Sequence, residues 1–263
     1  MMVTSSEPFV CAETPSYLLV YKPPGLPTAP LTVTEEHTLV QWCVKRFPEV
    51  GNIKGRKLIE GGLLHRLDTD TNGLVLFART QEAYDLISAQ QEGGLFLKTY
   101  RAWCIKKEEV RQAIGPGFPP LPFQIDWSCK APFLVESAFR PYGPGRKAVR
   151  PVVIDKKTKE ISLDHGKPYR TIVLSVQTEP QHESLFVVNA QIARGFRHQI
   201  RCHLAWIGMP ILGDKLYNPH GIFKEHEKEL LYLQAWAVEF RDPETGEAVR
   251  YELSSSTETG GMV

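Results

Sequence analysis

Apolar residues recur along this chain in two ways, as short unbroken runs and at helical spacing. Tyr17–Tyr21 is a continuous apolar run that predicts a buried strand. It is stopped by Lys22-Pro23-Pro24-Gly25-Leu26-Pro27, where the prolines fix φ and remove backbone donors, so an extended, rigid loop follows. From Thr38 to Phe47 the pattern is helical, with Thr38 as the cap and Leu39, Val40, Trp42, Cys43 and Phe47 apolar. Leu74–Ala78 reads as a second buried strand. Thr80 opens a helix running to about Gln91, with Ala83, Leu86 and Ile87 on one face, and Gly93-Gly94 ends it. Leu95–Cys104, Thr171–Gln177, Leu185–Ile192 and Leu230–Phe240 read as strands, and His198–Ile207 as a helix. Residues 115–151 gather many prolines and glycines and predict loops with short strands, either an elaboration over a site or a tolerated surface insertion. The tail from Ser254 has the composition of a disordered segment.

Strands that do not alternate strictly with helices favour an α+β fold, a mixed and mostly antiparallel sheet flanked by helices and loops. With no internal repeat or linker, the chain reads as a single domain over 1–263, its core at about 15–240. Composition narrows the class. Apolar content of 42% and charged content of 23% are those of a soluble globular protein. No run of about 18 apolar residues is present to span a bilayer, and the N-terminus lacks the basic and apolar regions of a signal peptide. The five cysteines are widely spaced and include no C-x-x-C pair, which argues against a disulfide framework and a zinc site and for a reduced, cytoplasmic protein. Net charge is only +1. Cations nevertheless cluster, at Lys45, Arg46, Lys54, Arg56 and Lys57, at Arg140, Arg146, Lys147 and Arg150, and at Arg194, Arg197 and Arg201, as local footprints for phosphates would require.

The densest chemistry is His65-Arg66-Leu67-Asp68-Thr69-Asp70-Thr71-Asn72-Gly73, a polar run between apolar flanks. Asp68, Asp70, Asn72 and Gly73 match the opening of a calcium loop, but its twelfth position, a bidentate Glu in such loops, is Arg79, a cation that repels the metal. His65, Arg66, Asp68 and Asn72 resemble a kinase catalytic loop, yet Leu67 splits the triplet and no Gly-rich phosphate loop precedes it. Two readings survive: Asp68 is a lone catalytic carboxylate on a loop that Thr71, Asn72 and Gly73 turn into the strand, or Asp68 and Asn72 only cap that turn.

Two further runs bear on the choice. In Lys98-Thr99-Tyr100-Arg101-Ala102 the two-residue period of a strand places Lys98, Tyr100 and Ala102 on one face. In Arg197-His198-Gln199-Ile200-Arg201-Cys202-His203 residues 197 and 201, and 199 and 203, lie one helical turn apart, and such a helix start suits an anion or a phosphate backbone. With Lys22-Pro23-Pro24-Gly25, His65–Leu74, Lys98–Ala102, Gly195–His203 and Gly208-Met209-Pro210-Ile211-Leu212-Gly213-Asp214-Lys215-Leu216-Tyr217 in that order, the chain resembles the RluA-type family of RNA pseudouridine synthases from about residue 15 to about 240.

The resemblance implies an isomerase that converts uridine to pseudouridine in structured RNA, rRNA or tRNA, without metal or cofactor, and as a monomer not acting on DNA or membranes. It implies Asp68 as the nucleophile, Tyr100 as the residue stacking on the base and assisting proton transfer, and Arg201 as the partner that keeps Asp68 ionised. Arg66 would displace or replace the flipped nucleotide. Lys98, Arg197, His198, Gln199 and His203 join it as RNA- or base-binding residues. One carboxylate suffices, by covalent attack or by abstracting the 2′ proton to give a glycal, and the target base must be extruded from folded RNA. The alternative is a non-catalytic RNA-binding or RNA-folding protein on the same scaffold. Two departures stand out. The family helix motif commonly reads Gly-Arg-Thr-His-Gln where this chain has Gly195-Phe196-Arg197-His198-Gln199, and the segment before Lys22 is too short for the separate S4-type domain many relatives carry.

Overall fold

The computed structural model describes residues 2, 5–105, 117–121, 131–153, 168–179, 182–219 and 230–253. They fall into two compact units, one formed by the chain up to Lys98 with the segment from Gln234 onward, the other by Thr99–Leu233. Ten strands are present among the described residues, mostly antiparallel and with few helices, so the α+β expectation holds. No helix among them is long and apolar enough to cross a membrane.

In the first unit β1 (Phe9–Glu13) pairs antiparallel with β2 (Tyr17–Lys22), and β2 with β3 (Asn72–Ala78), where Lys22 lies opposite Gly73. β3 runs parallel to β9 (Leu233–Arg241) through Asn72–Gln234 and Gly73–Ala235, and β10 (Ala248–Glu252) is antiparallel to β9. Every residue of β2 and β3 is buried. Strands covered on both faces carry continuous apolar runs rather than alternation, which is the pattern at Tyr17–Tyr21 and Leu74–Ala78. One face, Tyr17, Leu19, Tyr21, Leu74 and Leu76, packs with Trp236, Val238 and Phe240 and with Ala83, Tyr84 and Ile87. Each large side chain so buried contributes about 1.5–3 kcal/mol.

The helices begin where hydroxyl caps stand. Thr38 accepts from the Gln41 N–H at 3.2 Å to start α1 (Leu39–Arg46), which α2 (Pro48–Gly51) follows. Thr80 accepts from the Ala83 N–H at 3.1 Å to start α3 (Gln81–Gly93), and Gly94 closes it in the left-handed conformation. Leu86 does not share the buried face; it is 44% exposed. At 3.6 residues per turn it lies about 100° from the centre of the stripe that Ala83, Tyr84 and Ile87 define.

The second unit contains β4 (Leu97–Ile105) from Thr99 on, β5 (Phe133–Tyr142), β6 (Ala148–Val152), β7 (Tyr169–Glu179) and β8 (His182–Ile192), in the order β4-β8-β7-β5-β6. Their printed registers are antiparallel, with Arg140 opposite Arg150 in the β5–β6 hairpin. The Pro/Gly-rich stretch thus supplies a regular hairpin where loops with short strands were expected; its residues 115–116 and 122–130 lie outside the described residues, as does the tail from Ser254. All of α4 (Gln199–Trp206) is buried, and Cys202 and Ala205 pack with Phe139, Val149, Tyr169 and Tyr217. The polar side chains within this helix, Gln199, Arg201 and His203, are therefore enclosed.

Candidate active site

The segment leading to β3 presents Asp68 from a loop that is clamped on both sides of it. Thr28 donates its hydroxyl to the Leu67 carbonyl at 2.8 Å and accepts from the Leu67 N–H at 3.1 Å. On the other side the Thr69 carbonyl accepts from the Gly25 N–H at 2.9 Å and from Lys22 Nζ at 2.8 Å. Lys22 also donates to the carbonyls of Pro23 at 2.9 Å and Leu26 at 2.7 Å, so each ammonium proton has an acceptor. Burial pushes the Lys22 ammonium down to about 7, a shift that the carboxylates of Asp70 and Asp68 oppose. The Lys-Pro-Pro-Gly loop is the support of the Asp68 loop.

The turn itself closes earlier than expected. The Thr71 N–H donates to the Asp68 carbonyl at 3.1 Å, and Asn72 and Gly73 already belong to β3. Asn72 is buried, and its Oδ1 accepts from Gln234 Nε2 at 2.7 Å, which fixes the parallel register of β3 and β9. Gly73 has φ +124°, and a Cβ there would stand 2.3 Å from the Ala235 carbonyl oxygen. Only glycine lets β9 approach this closely. Arg79, the residue that spoils the calcium reading, is committed to Glu49 at 2.8 Å and Glu13 at 3.0 Å.

Around Asp68, which is half-buried, Arg66 is exposed and its Nη1 lies 3.4 Å from Glu60. His65 Nε2 accepts from the Leu76 N–H at 3.2 Å, so the neutral ring carries its proton on Nδ1, an enclosed atom with no hydrogen-bond partner. Burial, reinforced by the Lys98 charge, lowers the His65 pKa to about 3. Lys98 is buried with its ammonium over the Phe96 ring at 5.4 Å. Burial, with a smaller repulsion from Arg56, lowers it to about 8. The first unit therefore carries Arg66 and Asp68 on one supported segment, with the Lys98 charge felt by His65 at its start.

The second unit holds Tyr100, buried in β4, and the residues of α4. Arg201 makes a two-pronged pair with Asp214, Nε to Oδ2 at 2.7 Å and Nη2 to Oδ1 at 2.8 Å. Asp214 Oδ1 also accepts from the N–H groups of Leu216 and Tyr217 at 2.9 and 3.1 Å. The turn that carries it depends on Gly213, where φ is +73° and a Cβ would fall 1.9 Å from the Leu230 carbonyl. Asp214, unassigned in the sequence reading, fixes the plane of the Arg201 guanidinium. An acid inside the Gly213-Asp214 motif was the available signal.

Gln199 and His203, expected among the RNA-binding residues, are spent inside the unit. Gln199 accepts from the Phe196 N–H at 2.9 Å and donates to the Arg170 carbonyl at 3.0 Å and to Thr171 Oγ1 at 3.1 Å. His203 shares hydrogen bonds with Thr171 Oγ1 at 2.8 Å and Ser137 Oγ at 2.9 Å, and burial lowers its pKa to about 3. Buried polar groups must be paired, and this network pairs them while tying α4 to β5 and β7. His198 precedes the helix in the left-handed region at φ 56°, a conformation costing roughly 1–2 kcal/mol for a non-glycine residue. Its Nδ1 lies 3.2 Å from the Tyr217 hydroxyl. Arg197 also lies ahead of α4 and is exposed. Thr28 is a further residue the sequence reading missed, since a lone threonine in a loop carries no signal.

Comparison with known proteins places the chain in a class. Residues 16–206 match the family described as RNA pseudouridylate synthase, and the chain belongs to that family of RNA-modifying enzymes, in its RluA-type branch. A Helicobacter pylori (strain J99) protein called an uncharacterized RNA pseudouridine synthase is 26% identical over 93% of this chain and 65% of its own length. A Chloroflexus aurantiacus protein of the same description is 31% identical over 75% of this chain and 51% of its own length. The chain thus spans about half to two thirds of these relatives. The solved structure of human RNA Pseudouridylate Synthase Domain Containing 1 shares the fold, with a TM-score of 0.63 at 18% identity over 97% of this chain and 86% of that one.

Proposed function

We propose that this protein isomerises uridine to pseudouridine in structured RNA, ribosomal or transfer, with Asp68 as the nucleophile. Membership of the family supports the reaction. The observation that carries the residue is the support of the Asp68 loop from both sides by Thr28, Lys22 and Gly25. A catalytic group gains from such fixed presentation, because orientation is part of what lowers the barrier.

Substrate and product are isomers, so no redox partner is consumed. The N1–C1′ bond breaks and the electron pair leaves with uracil. The Asp68 carboxylate either bonds to C1′ or removes the 2′ proton to give a glycal. Uracil turns, C5 bonds to C1′, the carboxylate or proton is returned, and the proton on C5 is removed while N1 takes one up, so the composition is unchanged. Tyr100 would stack on the base and assist that last transfer. Arg201, its plane set by Asp214, would serve as counter-cation to the carboxylate. Arg66 would take the place of the extruded base, with Lys98, Arg197 and His198 binding RNA and Gln199 and His203 holding α4.

The test is to map pseudouridines across cellular RNA after deleting the gene, then restoring either the native chain or Asp68→Asn. Sites lost on deletion should return with the native chain and stay absent with Asp68→Asn, with the variant's circular dichroism unchanged. Restoration by Asp68→Asn would refute the assignment and leave an RNA-binding protein.

A further inference from the structure

Arg140, Arg146 and Lys147 of the β5–β6 hairpin form no ion pair among the described residues. Residues 140–152 contain four basic side chains and no acidic one, and residues 184–213, which include α4 and its approach, contain no acidic residue either. Arg140, Arg146, Lys147 and Arg197 are all exposed. The nearest acid on β5, Glu136, is already paired with Arg170. None of these four cations forms an ion pair among the described residues, whereas Arg66, Arg79, Arg170, Arg201 and Arg250 all do.

Two features show an arrangement rather than an accident of composition. Arg197 Nη2 donates to the Arg146 carbonyl at 2.7 Å and the Ala148 carbonyl at 3.4 Å, so the approach to α4 is pinned to the hairpin turn with three cations side by side. Arg140 stands directly opposite Arg150 in the antiparallel register, and both guanidinium groups flank the Tyr142 ring, at 5.8 and 4.3 Å. Like charges directly opposite one another on paired strands are destabilising. Local rules are broken in this way chiefly at functional sites.

We propose that the β5–β6 hairpin, through Arg140, Arg146 and Lys147 with Arg197 pinned beside them, is a docking surface for the phosphate backbone of the RNA substrate. This rests on the proposed RNA-modifying function but assigns a separate surface, which grips backbone charge and reads no base. Phosphates bound here release counterions, so affinity depends on salt in proportion to the number of contacts. An acidic protein segment is the competing occupant for such a patch. RNA is favoured because the family acts on it and because the cations follow a strand and its turn, as a linear polyanion requires.

The experiment measures binding of a fluorescein-labelled RNA stem-loop by anisotropy from 50 to 300 mM KCl. It compares the native chain with the triple variant Arg140→Gln, Arg146→Asn, Lys147→Gln. Asn is chosen at 146 because the residue sits at φ 53° and Asn tolerates that region. The slope of log K against log salt should become shallower by roughly 2 to 3, about 0.7–0.9 for each phosphate contact removed. A control with Lys45→Gln and Lys54→Gln should change it by less than one contact. An unchanged slope in the triple variant, or an equal loss in the control, would overturn the proposal, as would equally tight, hairpin-dependent binding of labelled poly-glutamate. Asp68→Asn run in parallel separates the two readings. A native slope with no isomerisation is expected of it, and a triple variant that loses slope supports the surface even if the native chain proves inactive.

Discussion

Replacing Lys98 by Met should make this protein more stable and less active at once. Lys98 is buried, and no hydrogen bond is formed by its ammonium among the described residues; its neighbours are the Phe96 ring at 5.4 Å and the repelling charge of Arg56. Lowering its pKa from the ordinary 10.5 to about 8 costs the folded state about 3 kcal/mol at 1.36 kcal/mol per tenfold. Methionine keeps the unbranched stem and removes the charge. The lost cation–ring contact offsets about 0.5–1 kcal/mol, leaving a net gain of about 2 kcal/mol, or roughly 4–8 °C in Tm.

The pH dependence identifies the cause. Below about 8 both folded and unfolded chains hold the proton, and the folded state bears the full penalty. Between about 8 and 10.5 the unfolded chain binds the proton and the folded chain does not, so native stability rises with pH. The advantage of Lys98→Met should therefore be largest at pH 7 and fade towards pH 10.5. Urea unfolding of both proteins from pH 6 to 10 measures the difference. An advantage independent of pH, or a variant less stable than native at pH 7, would refute the reasoning. Loss of pseudouridine formation in the stabilised variant would mark Lys98 as a residue kept for function against stability.

Lys22→Met tests the other buried lysine, whose three acceptors make it a support. Removing it should raise hydrogen exchange at the Gly25 and Leu67 amides tenfold or more, about 1.4 kcal/mol of local stability, and unchanged exchange would contradict the clamp. Gly73→Ala forces a Cβ against the backbone of Ala235 and should cost more than about 3 kcal/mol in a urea titration; a near-native midpoint would show that β3 and β9 can separate cheaply. Asp214→Asn strips the buried partner from Arg201 and should cost about 3–5 kcal/mol, with Asp214→Leu combined with Arg201→Met recovering part of it. An additive double variant would deny the coupling.

Local signals carried much of the fold. Thr38 and Thr80 are caps whose chemistry is complete within a few residues, and the runs in β2 and β3 are continuous because both faces are covered. What escaped depends on partners distant in sequence. β1 and β10 alternate exposed and half-buried positions over only five residues, too short for a period to declare itself. Leu86 fails at the edge of a stripe whose centre is set by packing, not by spacing. The helix motif gave the residues of α4 but not their direction, because a Gln and a His that face water and ones that close a buried network with Ser137 and Thr171 are written alike. Asp68 was legible as a special acid. The Thr28 hydroxyl that holds its loop, 39 residues away along the chain, was not.

The two-sided hold on the loop also acts on the main chain on either side of the residue that it presents. The anchors from Thr28, Lys22, Gly25 and Thr71 act on the backbone of Leu67, the carbonyl of Thr69 and the carbonyl of Asp68 itself. Main-chain contacts of this kind do not depend on which side chain stands at position 68. A cysteine or a serine placed at position 68 would therefore inherit the same main-chain anchors, which makes the loop a mount for a short reactive group.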